Sequence, residues 1–502
     1  MRLHALMRPS RGALVLSASL AVSLAICPGR GDAADAPAPA RQMPGTPTSD
    51  QLRVHTVADQ LIGFLSQAVE WVDQPSTRAP LGSIRPRIQA AVLAHPEVRL
   101  ASEQRVTAGY ASREAFAGYL PQVSGSTDTG RRRFDAVNKP WIAVPAHEDN
   151  SRSASITARQ LIYDFGAVSG RVDAQGAREV ASEAKTEGRR SEITLKAITV
   201  WHEIFRARQM LKLSEVNRLS RQQILNFIEE REQLGGSSKS DVLRARARLS
   251  DAQSALVAAE NRLLSAEASY RETFNASPPA EVPLPEAVAV DLARFTDTDS
   301  LIRHNALFAE ALAQSEALSF DAKSAGAAMM PSLHFELSAT RRDLGSLGIP
   351  GSDRTAGVVI RHNFYSGGAE AARKSQAEQK AVESRLELES LRRQLERAIG
   401  QTLADARNSD ASVAARKEAV QVAALAFDSV REQFAFRRGT LLDLLRAQED
   451  LYLAGRDLID GVVDHALARH RLLHLAMELT PLFELGAPAQ IPNEPGAPPP
   501  KN

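Results

Sequence analysis

The sequence predicts a mainly α-helical protein with a small membrane-type β component, built twice over: two long coiled-coil hairpins, each preceded by a pair of strands. Two long tracts lack proline and are rich in Ala, Leu, Arg, Glu and Gln, one between Gly166 and Pro278 and the other between Pro350 and Pro481. Apolar residues in these tracts step alternately by three and four, the heptad spacing that lets one helix lie along another. The order of segments in the first half returns in the second, which marks a duplication.

The duplication is clearest on the return helices. Asp241-Val242-Leu243-Arg244-Ala245 recurs as Asp443-Leu444-Leu445-Arg446-Ala447. The seam Val242, Ala245, Leu249, Ala252, Leu256, Ala259 and Leu263 becomes Leu444, Ala447, Leu451, Ala454, Leu458, Gly461 and His465. Small residues alternate with Leu, so a partner backbone can approach closely at every second layer.

Composition limits the function. With 502 residues, a net charge of +1 and 24% charged residues, the chain has no basic footprint for nucleic acid. Arg2, Arg8 and Arg11, the apolar run Ala13 to Ile26 and small residues at Ala33 to Ala36 form an export signal. The apolar run is shorter than the ~20 residues a spanning helix needs. Cys27 faintly resembles a lipoprotein box, but Ile26 stands where a small residue is needed, so the only cysteine is expected to leave with the signal. The expected organisation is a signal at 1–33, a leader and N-terminal helix at 34–82, a first repeat at 83–275, a Pro-rich linker at 276–297, a second repeat at 298–485 and a disordered tail at 486–502.

Asp50 to Val72 reads as an amphipathic helix of undefined role, and Ile84 to Ala117 as a helix interrupted near His95-Pro96. Val123 to Arg132 and Ser153 to Tyr163 alternate as strands around a loop with Pro140, Trp141 and Pro145. Ala167 to Gln233 is one helix of ~67 residues, hence ~100 Å. Gly235-Gly236-Ser237-Ser238 breaks it, with Ser240 as the expected N-cap of a helix running to Phe274. The second half gives a helix at Ser300 to Ala328, strands at Ser332 to Thr340 and Ala356 to Phe364, and a long helix from Ala369 to Phe436. A break at Arg437-Arg438-Gly439-Thr440 precedes the second return helix. Arg231-Glu232-Gln233 recurs as Arg431-Glu432-Gln433 near the far ends of the outgoing helices.

Strands of about 9–11 residues with one apolar face suit a membrane barrel, but bacterial single-chain barrels start at about eight strands. Four strands per chain therefore require several protomers to close one barrel, with the helices projecting from its rim into an aqueous space.

Gly118-Tyr119-Leu120-Pro121, Tyr163-Asp164-Phe165-Gly166, the run Asp241 to Leu249 and the run Gly439 to Gln448 together resemble the TolC family of outer-membrane channel proteins. The resemblance covers Ile84 to Leu479 and rests on arrangement rather than on any single motif. It implies a homotrimer sharing a twelve-stranded barrel in the outer membrane of a Gram-negative bacterium, in contact with its lipids, and a helical tunnel through the periplasm. It also implies docking of a periplasmic adaptor (membrane fusion) protein and an inner-membrane transporter of the ABC type at the hairpin tips, at Gly235, Gly236, Ser240, Asp241, Gly439 and Thr440. Thr440 to Leu445 followed by Ala447 to Tyr452 looks most like the type I secretion branch. In the family, aspartates on the second return helix form a cation-binding ring at the tunnel's narrow end; Asp443 matches the first of them, and Arg446 stands at the second. The alternative for Asp443 and Asp241 is a plain N-terminal helix acid favoured by the helix dipole.

His465, His470 and His474 lie on one helix, and His470 and His474 are one turn apart, a spacing that can bind a metal. No Glu stands beside the first of that pair and no third ligand is evident, so a structural role is expected, with no metal and no cofactor. No phosphate loop, nucleotide fingerprint or nucleophile elbow is present, and no enzyme activity is expected. The competing functions are a drug or metal efflux duct and, from another class, a periplasmic coiled-coil adaptor or scaffold.

Overall fold

The computed structural model describes residues 49–73, 78–139, 141–144, 146–286, 288–344 and 350–485. The expected signal, Cys27, the leader before residue 49, Pro140, Pro145 and the tail from 486 lie outside the described residues. In chain order, α1 (Ser49–Asp73), α2 (Leu81–Ala94) and α3 (Pro96–Phe116) precede strands β1 (Gln122–Phe134), β2 (Val137–Lys139), β3 (Ile142–Val144) and β4 (His147–Tyr163). The first hairpin is α4 (Ala167–Gln233) and α5 (Lys239–Phe274). The second half holds α6 (Thr298–His304), α7 (Ala306–Ala327), β5 (Ser332–Leu344), β6 (Pro350–Arg361), α8 (Ala369–Ala435), α9 (Leu441–Leu475) and a final turn, α10 (Leu479–Leu482).

Both outgoing helices, α4 and α8, are 67 residues long. Each starts after two residues in the left-handed region: Phe165 and Gly166 in one copy, Gly367 and Gly368 in the other. That pair turns a strand sharply into a helix. Asp164 fixes the first turn by accepting from the Gly166 amide at 3.1 Å and the Val168 amide at 2.7 Å. From these turns through both hairpins the copies run at a constant offset of 202 residues, whereas from His95/Asn305 through the start of the first strand the offset is 210. The first copy thus carries eight more residues between its strands, where β2 and β3 form a small hairpin.

The strands are longer than the alternation suggests, because β1, β4, β5 and β6 continue past the apolar band into polar sequence, although β6 stops at Arg361, short of the expected Phe364. They pair antiparallel in the order β1-β4-β5-β6. The register aligns Val123, Ala158, Leu337 and Ala356 in one row and Phe335 with Val358 in the next. One face is therefore apolar, and Val123, Ile156, Leu337, Val358 and Ile360 on it are exposed to solvent. The opposite face carries Ser155, Thr157, Arg159, Glu336 and Ser338. Where the strands meet the helices, Tyr163 and Phe165 pack edge to face, and Phe364 and Tyr365 are 89% and 84% exposed. An exposed apolar band edged by aromatics is the outer surface of a membrane barrel. Among the described residues no helix is long and apolar enough to cross a membrane.

The helix expected at Ser300 to Ala328 is two, α6 and α7. Asn305 adopts an extended conformation, caps α7 by accepting from the Leu307 amide at 3.0 Å, and donates to the Leu475 carbonyl at 2.9 Å. His95 does the capping between α2 and α3. Of the seams read from the sequence, Ala245, Leu249, Ala252 and Ala259 on α5 and Leu444, Leu451, Leu458, Gly461 and His465 on α9 are buried, while Val242, Leu256, Leu263, Ala447 and Ala454 are half-buried.

Around the midpoint of α4 the linker forms a collar instead of an open extended chain. The Trp201 indole donates to the Pro283 carbonyl at 3.2 Å, Val282 and Leu284 are buried, and Ala79 pairs with the backbone on either side of Pro285. Tyr270 and Phe274 stack beneath Trp201. The C-terminal turn closes the collar through buried Phe483, whose carbonyl accepts from Gln89 at 2.8 Å, and through the Arg85–Glu484 ion pair. The role of α1 becomes clear here. It straps α4, α8 and α9 together, burying Leu61, Leu65 and Ala68, with Leu65 over Gly455 and Asp59 bonded to Arg431 at 2.9 Å.

Candidate functional site at the hairpin tips and the barrel base

The two tips share one backbone design. In the first, Gly235 sits at φ 73; its amide bonds to the Glu232 carbonyl at 2.9 Å and the Gly236 amide to Arg231 at 2.7 Å. In the second, Arg437 at φ 58 takes the same place, with Arg437 to Phe434 at 3.1 Å and Arg438 to Gln433 at 2.8 Å. Both are Schellman ends, which use the carbonyls a helix terminus leaves unpaired. By this geometry Arg231 corresponds to Gln433, not to Arg431, so the recurring Arg-Glu-Gln is out of structural register by two residues. The two arginines do different work. Arg231 lies over the rings of Phe227 (5.8 Å) and Phe434 (5.4 Å), joining the two outgoing helices at their far ends. Arg431 is buried between Asp59 and Asp428.

The return helices begin with matching caps. Ser238, not Ser240, is the N-cap of α5: its hydroxyl accepts from the Asp241 amide at 3.2 Å, and Asp241 accepts from the Ser238 amide at 3.3 Å and hydroxyl at 2.8 Å. A capping box needs its acid three residues after the cap, a spacing Ser238 meets and Ser240 does not. Ser240 only shares its hydroxyl with that of Ser238 at 2.7 Å. Thr440 caps α9 in the same way, accepting from the Asp443 amide at 3.2 Å while its hydroxyl donates to Asp443 at 2.6 Å. Asp241 also faces Arg244 at 3.7 Å. Asp443 and Arg446 are both exposed, and neither makes an ion pair with a described side chain. Each tip ends in exposed apolar residues: Leu234 (79%) and Leu243 on the first, Phe436 (66%) and Leu442 on the second.

Below its exposed end α9 is anchored. Arg221 of α4, 1% exposed, donates to the Leu445 carbonyl at 3.1 Å and to Glu449 at 2.7 Å, and Gln448 donates to Ser220 at 2.7 Å.

The three histidines of α9 do not converge. His465 meets Ser409 at 2.9 Å, His470 bonds the Ala466 carbonyl at 2.8 Å, and His474 meets Ser191 at 2.8 Å. The ring beside His470 is His202 of α4, 5.7 Å away between centroids, a neighbour no helical spacing could reveal. Burial, reinforced by the adjacent His470, lowers the His202 pKa to about 3. Among the described residues no three His, Cys, Asp or Glu side chains are placed to hold a metal.

At the barrel base Glu336 on the polar face accepts from Arg159 at 2.6 Å and Arg361 at 2.5 Å. Two guanidiniums on one carboxylate leave a net positive charge where the barrel opens toward the helices. Alternation had put Arg159, Glu336 and Arg361 on polar faces; only the strand order brings them together.

A barrel segment joined to long aqueous helices defines an outer-membrane duct. The sequence matches the outer membrane efflux protein family over residues 88–275 and 298–476, and the chain belongs to that family, whose members are channels rather than enzymes. It is 24% identical over 374 residues to outer membrane efflux protein BepC of Brucella suis biovar 1, covering 73% of this chain and 79% of BepC. It is 23% identical over 318 residues to proteases secretion protein PrtF of Dickeya chrysanthemi, covering 61% and 68%. It is 24% identical over 404 residues to outer membrane protein TolC of Escherichia coli K12, covering 74% and 78%. The fold matches the crystal structure of outer membrane protein VceC from Vibrio cholerae with a TM-score of 0.69 at 16% identity, covering 79% of this chain and 96% of that one. The protein resides in the outer membrane of a Gram-negative cell, with its helices in the periplasm.

Proposed function

We propose that the protein is the homotrimeric exit duct of a tripartite export system that secretes proteins by the type I route. Three copies of the four-stranded sheet close a twelve-stranded barrel, and an inner-membrane ABC transporter with a periplasmic adaptor engages the hairpin tips. The observation that carries this reading is the tip geometry. Two hairpins of equal reach end in matched caps, each with exposed leucine or phenylalanine for a partner to cover. Asp443 lies exposed beside them. Three symmetry-related Asp443 side chains concentrate negative charge at the opening, as acidic rings do in cation channels, and Arg446 one turn further along offsets part of that charge. The secretion branch is favoured by the Thr440 to Leu445 run and by the likeness to a protein named for protease secretion.

Single-channel conductance of the detergent-extracted protein in a planar bilayer tests the duct. Wild type is expected to give a stable unit conductance that Asp443→Ala raises and makes less cation-selective. Conductance indifferent to Asp443→Ala places the constriction elsewhere. A folded, water-soluble product without detergent-dependent oligomers sinks the duct and returns the scaffold reading. The likeness to BepC, named an efflux protein, favours drug or metal efflux as the second reading. In a deletion strain, loss of a protein from the culture medium supports secretion, and drug or metal sensitivity with an unchanged medium supports efflux.

A further inference from the structure

The outward face of the sheet carries a feature that conduction does not need. Moving away from the helices, the row Val123–Ala158–Leu337–Ala356 is followed by Gly125–Ile156–Ala339–Arg354 and then by Thr127–Ala154–Arg341–Ser352. An apolar cleft of about 360 Å³ lies over the first two rows, with Arg354 at its distal end. A second cavity of about 630 Å³ continues from it, shares Ile156, Ala339 and Arg354, and adds Arg341, Ser352 and Asp353. The two clefts form one groove, apolar below and lined above by two arginines and one aspartate, the aspartate in the row of the opposite face.

Arg341 and Arg354 are diagonal neighbours on adjacent strands, close enough for long side chains to reach one ligand. Both are exposed, no carboxylate stands in their two rows, and neither makes an ion pair with a described side chain. Farther outward on the same face, Arg131 stands opposite the neutral Asn150, and Arg133 faces Glu148 at 3.9 Å. From Leu333 to Arg341 the strand covers about 27 Å, which a tilt of about 40° reduces to about 20 Å of height. That approaches the ~25 Å apolar band of such barrels. With exposed Tyr163, Phe165, Phe364 and Tyr365 marking the periplasmic boundary, Arg341 lies near the outer-leaflet headgroups and Arg354 about 5 Å below it, within reach of them through its long side chain.

We infer that Arg341, Arg354 and the apolar cleft beneath them form a binding site for an outer-leaflet lipid with a phosphorylated headgroup. The two guanidiniums take the phosphate, each in the forked geometry that suits its oxygens, and an acyl chain lies along Ile156, Leu337 and Ala339. The continuity of the cleft with the cationic end selects a lipid over free phosphate. The site rests on the barrel placement of the sheet.

The test uses full-length trimer in detergent and a fluorescent lipid A carrying both phosphates, compared with the same lipid enzymatically dephosphorylated. Wild type is expected to bind the phosphorylated form about tenfold more tightly, the scale of one charge-assisted bond. Arg341→Gln/Arg354→Gln is expected to lose that preference and keep wild-type conductance, and the double Lys variant to keep part of it. Equal binding of both lipids by wild type, or a preference surviving in the Gln variant, overturns the site. Inorganic phosphate binding as tightly as the lipid overturns the lipid assignment. Protein that conducts but shows no preference removes this site alone; failure to insert removes the barrel on which it rests.

Discussion

At single positions, similar backbone demands are met by different residues at different cost. Arg437 occupies the left-handed position that Gly235 fills in the other tip, and a side chain there costs roughly 1 kcal/mol. Arg437→Gly is expected to stabilise the protein by roughly 0.5 kcal/mol, the strain relieved less the entropy a glycine adds to the unfolded chain, and Gly235→Ala to destabilise it by about 1 kcal/mol. Urea unfolding of the two variants checks both signs. His202 sets a pH dependence. It stays neutral in the fold down to about pH 3, while the unfolded chain takes up a proton near 6.5. Between those values the unfolded state binds more protons, so stability falls on acidification, by up to about 1.4 kcal/mol per pH unit for this group. The His202→Phe variant should show a flatter melting temperature between pH 7 and pH 4 than wild type. The acids at 241 and 443 stood out because the run around each recurs. The cap of the first, expected at Ser240 beside its acid, is misplaced there, whereas a capping box sets cap and acid three residues apart. The arginine at 431 misled because a three-residue match survives a two-residue slip that the turn geometry does not allow. His202 and His470 could not be paired at all, since they lie on helices brought together only by the fold.

At the level of elements, the long helices were legible to within a residue, because proline-free heptads state where a helix lies and left-handed residues state where it ends. Strand ends were not legible: alternation of apolar and polar residues marks only the lipid-facing band, and β5 and β6 extend beyond it. Asn305 hid a break because it is an ordinary helix surface residue until a neighbouring carbonyl takes its side chain. Close helix contact makes a sharp prediction. A Cβ on Gly170 would lie 3.1 Å from the Ser324 backbone of α7, whereas one on Gly176, two turns on, meets nothing within 4 Å. Gly170→Ala is expected to destabilise by about 1–3 kcal/mol through overpacking. Gly176→Ala is expected to stabilise by up to about 1 kcal/mol through helix propensity. Chemical denaturation of the two variants side by side separates packing from propensity.

For the molecule as a whole, α5 leaves Val257 and Leu264 exposed, seven residues apart, and α8 leaves Val422 and Leu425 exposed. A heptad stripe without a partner inside the protomer suits a neighbouring copy. Val257→Asp/Leu264→Asp is expected to dissociate the oligomer in detergent, seen by light scattering, while circular dichroism retains the helical signal; an intact oligomer would move the interface off this stripe. The collar has a mechanical meaning. It grips α4 near Trp201, about 50 Å from either end of a helix with a 1.5 Å rise per residue. A rod clasped at its middle is a lever, and a tilt of one degree about that fulcrum swings a tip by roughly 0.9 Å. At the other end the motion is resisted by strands locked into a sheet. With the membrane arm held by the sheet, movement of the periplasmic tip requires α4 to bend at the waist, and one degree of bend there would carry the tip through that same distance.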